Sequence, residues 1–183
     1  SWQTDVFPDV SSDDWFFEAA EFAAQNNLIH GNENGEFMPN ESLTRAMAVT
    51  ILYRYMGGEE ITSAASVFFD VPQNEWFAAA VGWAAANKVV SGVGEGMFEP
   101  HRNITREELV LILYRLSENG EKGILEDFAD KDEVSDWAND AMRWAVGTQL
   151  ISGTEERKLE PQSTATRAEF AIILMRLSNL TYK

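Results

Sequence analysis

Eight columns of residues recur along this chain at a step of 61, with a single-residue shift only at one point in the third copy. Trp15, Trp76 and Trp137 form one, and Gly31, Gly92 and Gly153 another. Pro39, Pro100 and Pro161 follow, then Thr44, Thr105 and Thr166, then Arg45, Arg106 and Arg167. Arg54, Arg115 and Arg176 form a second arginine column, and Phe37, Phe98 and Leu159 an apolar one. Phe22, Trp83 and Trp144 make the eighth. Five of six tryptophans and six of nine arginines fall in these columns, so the chain is three copies of one unit.

The repeats are read as residues 1–57, 58–117 and 118–183 of one module. Copies one and two align without a gap from Asp9 and Asp70. The third has Asp130 one residue further from its tryptophan, which predicts one extra residue in that loop. The linkers MGGEEITSAASV and SENGEKGILE are rich in glycine and charge, as solvated connections are.

Each unit reads as two helices. The first is expected to begin after Asp13, Asn74 or Ser135, residues whose side-chain oxygens cap helices, which would put Trp15, Trp76 and Trp137 in the first turn. Apolar Phe16, Ala19, Ala20 and Ala23 have helical spacing, not strand alternation. The second begins at the repeated threonine. Thr105 with Glu108, and Thr166 with Glu169, form the capping-box pattern; Met47 breaks it in copy one, which predicts a weaker helix start there. Two short helices cannot bury one apolar face alone. The expected fold is therefore all-α, with the three two-helix repeats packed in pseudo-threefold symmetry around a central helix bundle. An open solenoid is the alternative.

Composition narrows the partners. The formal charge of −16 disfavours nucleic acid and anionic membrane surfaces. No apolar run reaches the ~18 residues of a membrane span, so no membrane insertion is expected. The absence of cysteine excludes disulfides and thiolate sites. The opening SWQTDVFPDV has neither a basic nor an apolar leader region, which suggests a cleaved signal peptide or an excised module.

Arg45, Arg106 and Arg167 stand at the first position of their helices, where a cation opposes the macrodipole. Helix-end amides beside a guanidinium make a compact site for an external carboxylate. The alternative is a carboxylate of the same fold, such as the aspartate that opens a neighbouring unit. Arg54, Arg115 and Arg176 lie near helix ends, where a structural role is preferred. Trp15, Trp76 and Trp137 border a polar loop, and each can stack on a sugar or pack in the core. Trp83, Trp144 and Phe22 are assigned to the core. Gly31, Gly92 and Gly153 hold a positive φ or permit close backbone approach, which serves a fold or a ligand equally well.

Little points to catalysis. The two histidines, His30 and His101, do not recur, which argues against a triad or a histidine metal site. Asn32 to Glu36 has a faint calcium-loop look that its counterpart Val93 to Met97 destroys. The expectation is a chain that is not an enzyme and uses no cofactor or metal.

With the repeats laid out, the sequence resembles the S-layer homology family over nearly its full length. The residues that carry the likeness are Phe7, Asp9, Trp15, Gly31, Phe37, Pro39 and Leu43-Thr44-Arg45-Ala46 in copy one. Copy two offers Phe69-Asp70-Val71, Trp76, Gly92, Phe98, Pro100 and Ile104-Thr105-Arg106-Glu107-Glu108. Copy three offers Phe128, Asp130, Trp137, Gly153, Pro161 and Thr166-Arg167-Ala168-Glu169. The resemblance implies a non-catalytic module that anchors an exported protein to the wall of a Gram-positive-type bacterium. It implies an extracellular, monomeric module within a longer protein. Its implied partner is an anionic secondary cell-wall polysaccharide, commonly pyruvylated, held in grooves between repeats. Arg45, Arg106 and Arg167 would contact the acid, with the Trp15, Trp76 and Trp137 column and the Gly31, Gly92 and Gly153 column lining the grooves. A structural or protein-interaction module without glycan binding is the alternative. Met47 and Glu107 depart from the family's motif, as do Asn27, Lys88 and Gln149, which stand where many members have glycine.

Overall fold

The computed structural model describes residues 6–58, 67–117 and 120–181. Among them are six α-helices: α1 (Phe17–Gln25), α2 (Arg45–Tyr55), α3 (Ala78–Ala86), α4 (Arg106–Ser117), α5 (Asn139–Gly147) and α6 (Arg167–Thr181). The described residues form no sheet, only isolated bridges such as Ser42 with Thr166 and Thr105 with Thr164. The chain is all-α, as expected. Residues 59–66 and 118–119, within the two linkers, lie outside the described residues.

The chain condenses into two compact units, Ser1–Ser42 with Thr105–Lys183, and Leu43–Ile104. In the first, α1 packs on α6 and α4 on α5. In the second, α2 packs on α3. Each pair joins the second helix of one repeat to the first helix of another, so an amphipathic face is covered across repeats rather than within one. Small residues make the first helices close-packing: Ala19, Ala20 and Ala23 in α1, Ala80 and Ala84 in α3, and Ala141 and Ala145 in α5 are buried. Leu52, Leu113 and Leu174 are fully buried on the second helices. Each contributes roughly 1.5–3 kcal/mol by leaving water. Trp144 is buried against Tyr114, whereas Trp83 and Phe22 are only half-buried.

The first helices start later than the capping residues suggest. They open at Phe17, Ala78 and Asn139, and Phe16, Phe77 and Ala138 precede them without a side-chain cap. The chain first winds a tight backbone turn, with Phe17 N–H donating to Asp14 O and Ala138 N–H to Ser135 O. Burial of Phe16, Phe77 and Ala138 holds that turn, and it leaves each tryptophan of the Trp15 column outside its α-helix. The extra residue of the third copy falls at a one-turn 3-10 helix, Lys131–Glu133; a second, Asp136–Ala138, carries Trp137.

At the far end of the first helices, Asn27, Lys88 and Gln149 take φ of 57°, 58° and 62°. Leu28 N–H donates to Ala23 O and Asn27 N–H to Ala24 O, the paired closure of a Schellman cap. Lys88 and Val89 repeat it on Ala85 and Ala84. The glycine-preferring geometry is thus kept without the glycine.

Candidate functional site

The second helices begin as the threonines predict. Thr44, Thr105 and Thr166 accept from the N–H of Met47, Glu108 and Glu169. Glu108 returns a bond to the Thr105 N–H at 3.1 Å, completing a capping box. Glu169 turns elsewhere: its carboxylate pairs with Arg106.

The helix-end amides expected to bind an anion are already occupied. Arg106 and Glu107 N–H donate to Ser163 O and Pro161 O, each at 2.9 Å. Arg167 and Ala168 N–H donate to Glu41 O and Pro39 O, and Arg45 and Ala46 N–H to Arg102 O and Pro100 O. The proline column therefore supplies carbonyls that cap the second helices. Any acid recognition here rests on side chains, not on the helix end.

The repeated arginines share one arrangement. Arg106 Nε–H donates to Leu159 O at 3.0 Å, Arg45 to Phe98 O at 2.8 Å and Arg167 to Phe37 O at 2.6 Å. Behind each carbonyl stands an aspartate. Asp130 accepts from Leu159 and Glu160 N–H, both at 2.8 Å. Asp70 accepts from Phe98 and Glu99 N–H, and Asp9 from Phe37 and Met38 N–H. The expected alternative, an arginine on the opening aspartate, takes an indirect form: the two are joined by one backbone peptide. Met38, Glu99 and Glu160 all hold a positive φ there, at 58°, 57° and 50°.

The three arginines differ in surroundings. Arg45 is 5% exposed and lies 4.7 Å over the Phe98 ring. Arg167 is half-buried, lies over Phe37 and donates a second bond to His30 O at 2.7 Å. Burial lowers its pKa from the ordinary arginine value, with Glu41 and Asp9 acting the other way. Arg106 has Leu159 behind it in place of an aromatic ring and pairs with Glu169 on its open side.

Arg106 lines a groove of about 500 Å³ together with Trp15, Gly153, Thr154, Glu169 and Arg176. One member of each column expected to bind, Trp15, Arg106 and Gly153 from three different repeats, thus meets in one place. Trp15 is 68% exposed, Trp76 59% and Trp137 54%, so the tryptophan column is not core. Gly92 and Gly153 have φ near 80°, while Gly31 is required by close approach: a Cβ there would stand 2.7 Å from Gly35 C.

Three participants escape sequence reasoning. Arg176 reads as a helix-end residue, but α6 continues to Thr181, and Arg176 donates to Leu150 O while lining the groove. Its recurrence beside the other arginine column is the available signal. The Asp9, Asp70 and Asp130 column is legible as a repeat but not as a clamp. Glu107, a departure from the motif, is 3% exposed and accepts from both Ser135 N–H and Ser135 Oγ.

The S-layer homology domain profile matches residues 6–48, 68–110 and 127–171. This chain belongs to the S-layer homology domain family. It is 31% identical over 163 residues to a surface-layer 125 kDa protein of Lysinibacillus sphaericus, covering 87% of this chain and 14% of that one. A cellulosome-anchoring protein of Acetivibrio thermocellus is 27% identical over 81% of the chain and 35% of its own length. An amylopullulanase of Thermoanaerobacterium thermosulfurigenes is 29% identical over 92% of the chain and 9% of its own length. The chain therefore spans a minor part of the curated relatives it matches. Family membership and these surface-layer relatives place this S-layer homology module outside the cell, at the cell wall. No helix among the described residues is long and apolar enough to cross a membrane.

Proposed function

We propose that the module is a non-catalytic anchor that holds a longer exported protein to an anionic, pyruvylated wall polysaccharide. The observation that carries the reading is the groove in which Trp15, Arg106 and Gly153 converge. A guanidinium edge suits a planar carboxylate, and an exposed indole face suits the C–H face of a sugar. Arg176 adds a second cation to the same groove. An incoming carboxylate would exchange with Glu169 on Arg106, so binding replaces one ion pair by another. The module acts as a monomer of three repeats, residues 1–57, 58–117 and 118–183, and linked weak sites gain through avidity. Arg45, Arg106 and Arg167, the Trp15, Trp76 and Trp137 column, and Gly31, Gly92 and Gly153 are the proposed binding residues.

A structural role has one specific observation in its favour, the burial of Arg45 over Phe98. Co-sedimentation with purified wall polysaccharide separates the two. Replacing Arg106 with Ala should reduce sedimentation while helical circular dichroism persists. Undiminished sedimentation of a folded Arg106→Ala protein would sink the assignment.

A further inference from the structure

We infer that Asp130 is a positioning residue for Arg106, acting through the single peptide group that joins Leu159 to Glu160. The inference rests on the proposal that Arg106 meets the acid of the ligand. The N–H of that peptide donates to Asp130 Oδ2 at 2.8 Å, and its C=O accepts Arg106 Nε–H at 3.0 Å. A peptide is planar, so fixing its N–H fixes the direction of its C=O. A carboxylate on one end and a guanidinium on the other also polarise the same amide, and each bond strengthens the other. Asp130 Oδ1 takes the preceding Leu159 N–H at 2.8 Å, which prevents the carboxylate from swinging. Asp130 is itself buried, and Leu159 is fully so.

The effect on recognition follows from which edge of the guanidinium is committed. With Nε bound to Leu159 O, the Arg106 plane is set and its Nη1 is turned to the side where Glu169 now pairs. An arginine tied at Nε loses less freedom when a carboxylate arrives, so part of the ordering cost is met before binding. The same peptide bridge stands between Asp9 and Arg167, through Phe37–Met38, and between Asp70 and Arg45, through Phe98–Glu99. It recurs with methionine at the left-handed position in one copy (Met38) and glutamate in the other two (Glu99 and Glu160), so the aspartate is the part common to all three.

The test uses the 183-residue chain, a synthetic pyruvate-ketal hexoside as probe, calorimetry for affinity, and nitrogen-15 NMR of the arginine Nε–H signals. Asp130→Asn should weaken the probe about tenfold, the order of loss when a supporting residue behind a ligand-binding group is removed. It should also speed solvent exchange of the Arg106 Nε–H, assigned by its absence in Arg106→Ala. Because Asp130 also holds a strained turn, Asp130→Asn is paired with Asp130→Asn/Glu160→Gly. Glycine accepts the positive φ without a clamp. The double variant should regain the melting temperature but not the affinity or the Nε–H protection. A folded double variant with wild-type affinity and an unchanged Nε–H signal would overturn the inference, since the aspartate would then serve the turn alone. Arg106→Ala keeps the two readings apart. If it binds the probe normally, the site assignment fails, and the Nε–H signal still judges the positioning. If it loses binding while Asp130→Asn does not, the positioning inference alone is overturned.

Discussion

Arg106 Nε–H donates to the carbonyl of Leu159, 53 positions further along the chain, and Arg45 makes the same bond to Phe98 across the same 53 positions. Arg167, in the third copy, reaches back 130 positions to Phe37. The bond is therefore always made to another repeat, never to the arginine's own. That places the start of a second helix, the opening aspartate of another repeat and that repeat's apolar column in one local structure. A site built this way needs more than one repeat, and a lone repeat would lack the carbonyl that orients its arginine.

Arg106→Lys should fail almost as fully as Arg106→Ala. Lysine keeps the charge but has no Nε–H for Leu159 O and no planar fork to offer a carboxylate on the other edge. Affinity for the pyruvate-ketal probe, measured by calorimetry, should fall by roughly tenfold, about 1.4 kcal/mol. Retention of wild-type affinity would reduce the role of Arg106 to that of a point charge.

Trp15→Ala should separate binding from folding. The residue is 68% exposed and its ring meets Phe16 edge-on, with centroids 5.3 Å apart, so the loss of stability should stay within about 1.5 kcal/mol. Sedimentation with wall polysaccharide should drop, and the tryptophan fluorescence shift expected on adding saccharide to the parent chain should be lost. Trp144→Ala is the contrast. That ring is fully buried against Tyr114, and its removal should cost about 3–5 kcal/mol.

Glu107→Ala should destabilise the protein although it restores the alanine that the other two copies carry there, Ala46 and Ala168. The buried Glu107 carboxylate accepts from Ser135 N–H at 2.9 Å and from Ser135 Oγ at 2.7 Å. Its removal leaves both donors without that partner, at a cost of about 1–3 kcal/mol. A double-mutant cycle with Ser135→Ala, read by urea denaturation, should return a coupling between the two residues. Additive effects would show that the pair contributes nothing beyond its separate side chains.

The internal repeat makes the helices, the capping threonines and the arginine column legible in the amino-acid sequence alone. Threonine caps depend on three neighbouring residues, so Thr44, Thr105 and Thr166 can be read locally. The starts of the first helices are misread in copies one and two because Asp13 and Asn74 look like caps, while burial of Phe16 and Phe77 decides where the helix begins; in copy three a 3-10 turn does start after Ser135 and runs into α5. The occupied amides of Arg45, Arg106 and Arg167 are not legible either. Their partners lie in other repeats, and no local pattern states which carbonyl will meet which N–H. Asp130 is visible as a column, but its meaning needs the left-handed turn at Glu160, a conformation glutamate does not announce.

Lys88→Gly should stabilise the protein, against the usual sign for glycine in a folded chain. Lys88 holds φ at 58° where α3 ends, with its N–H on Ala85 O and the Val89 N–H on Ala84 O. A side chain there costs about 1–2 kcal/mol from the clash of Cβ with the following carbonyl. Glycine removes the clash but makes the unfolded chain more flexible, which returns part of the gain. The net expectation is about 0.5–1 kcal/mol of added stability from chemical denaturation. Asn27→Gly tests the same position with a residue already tolerant of the left-handed region, so its gain should be smaller. Equal gains at both positions would mean that the Cβ clash is not what limits the cap, and a loss at Lys88 would mean that its side chain stabilises the end of α3.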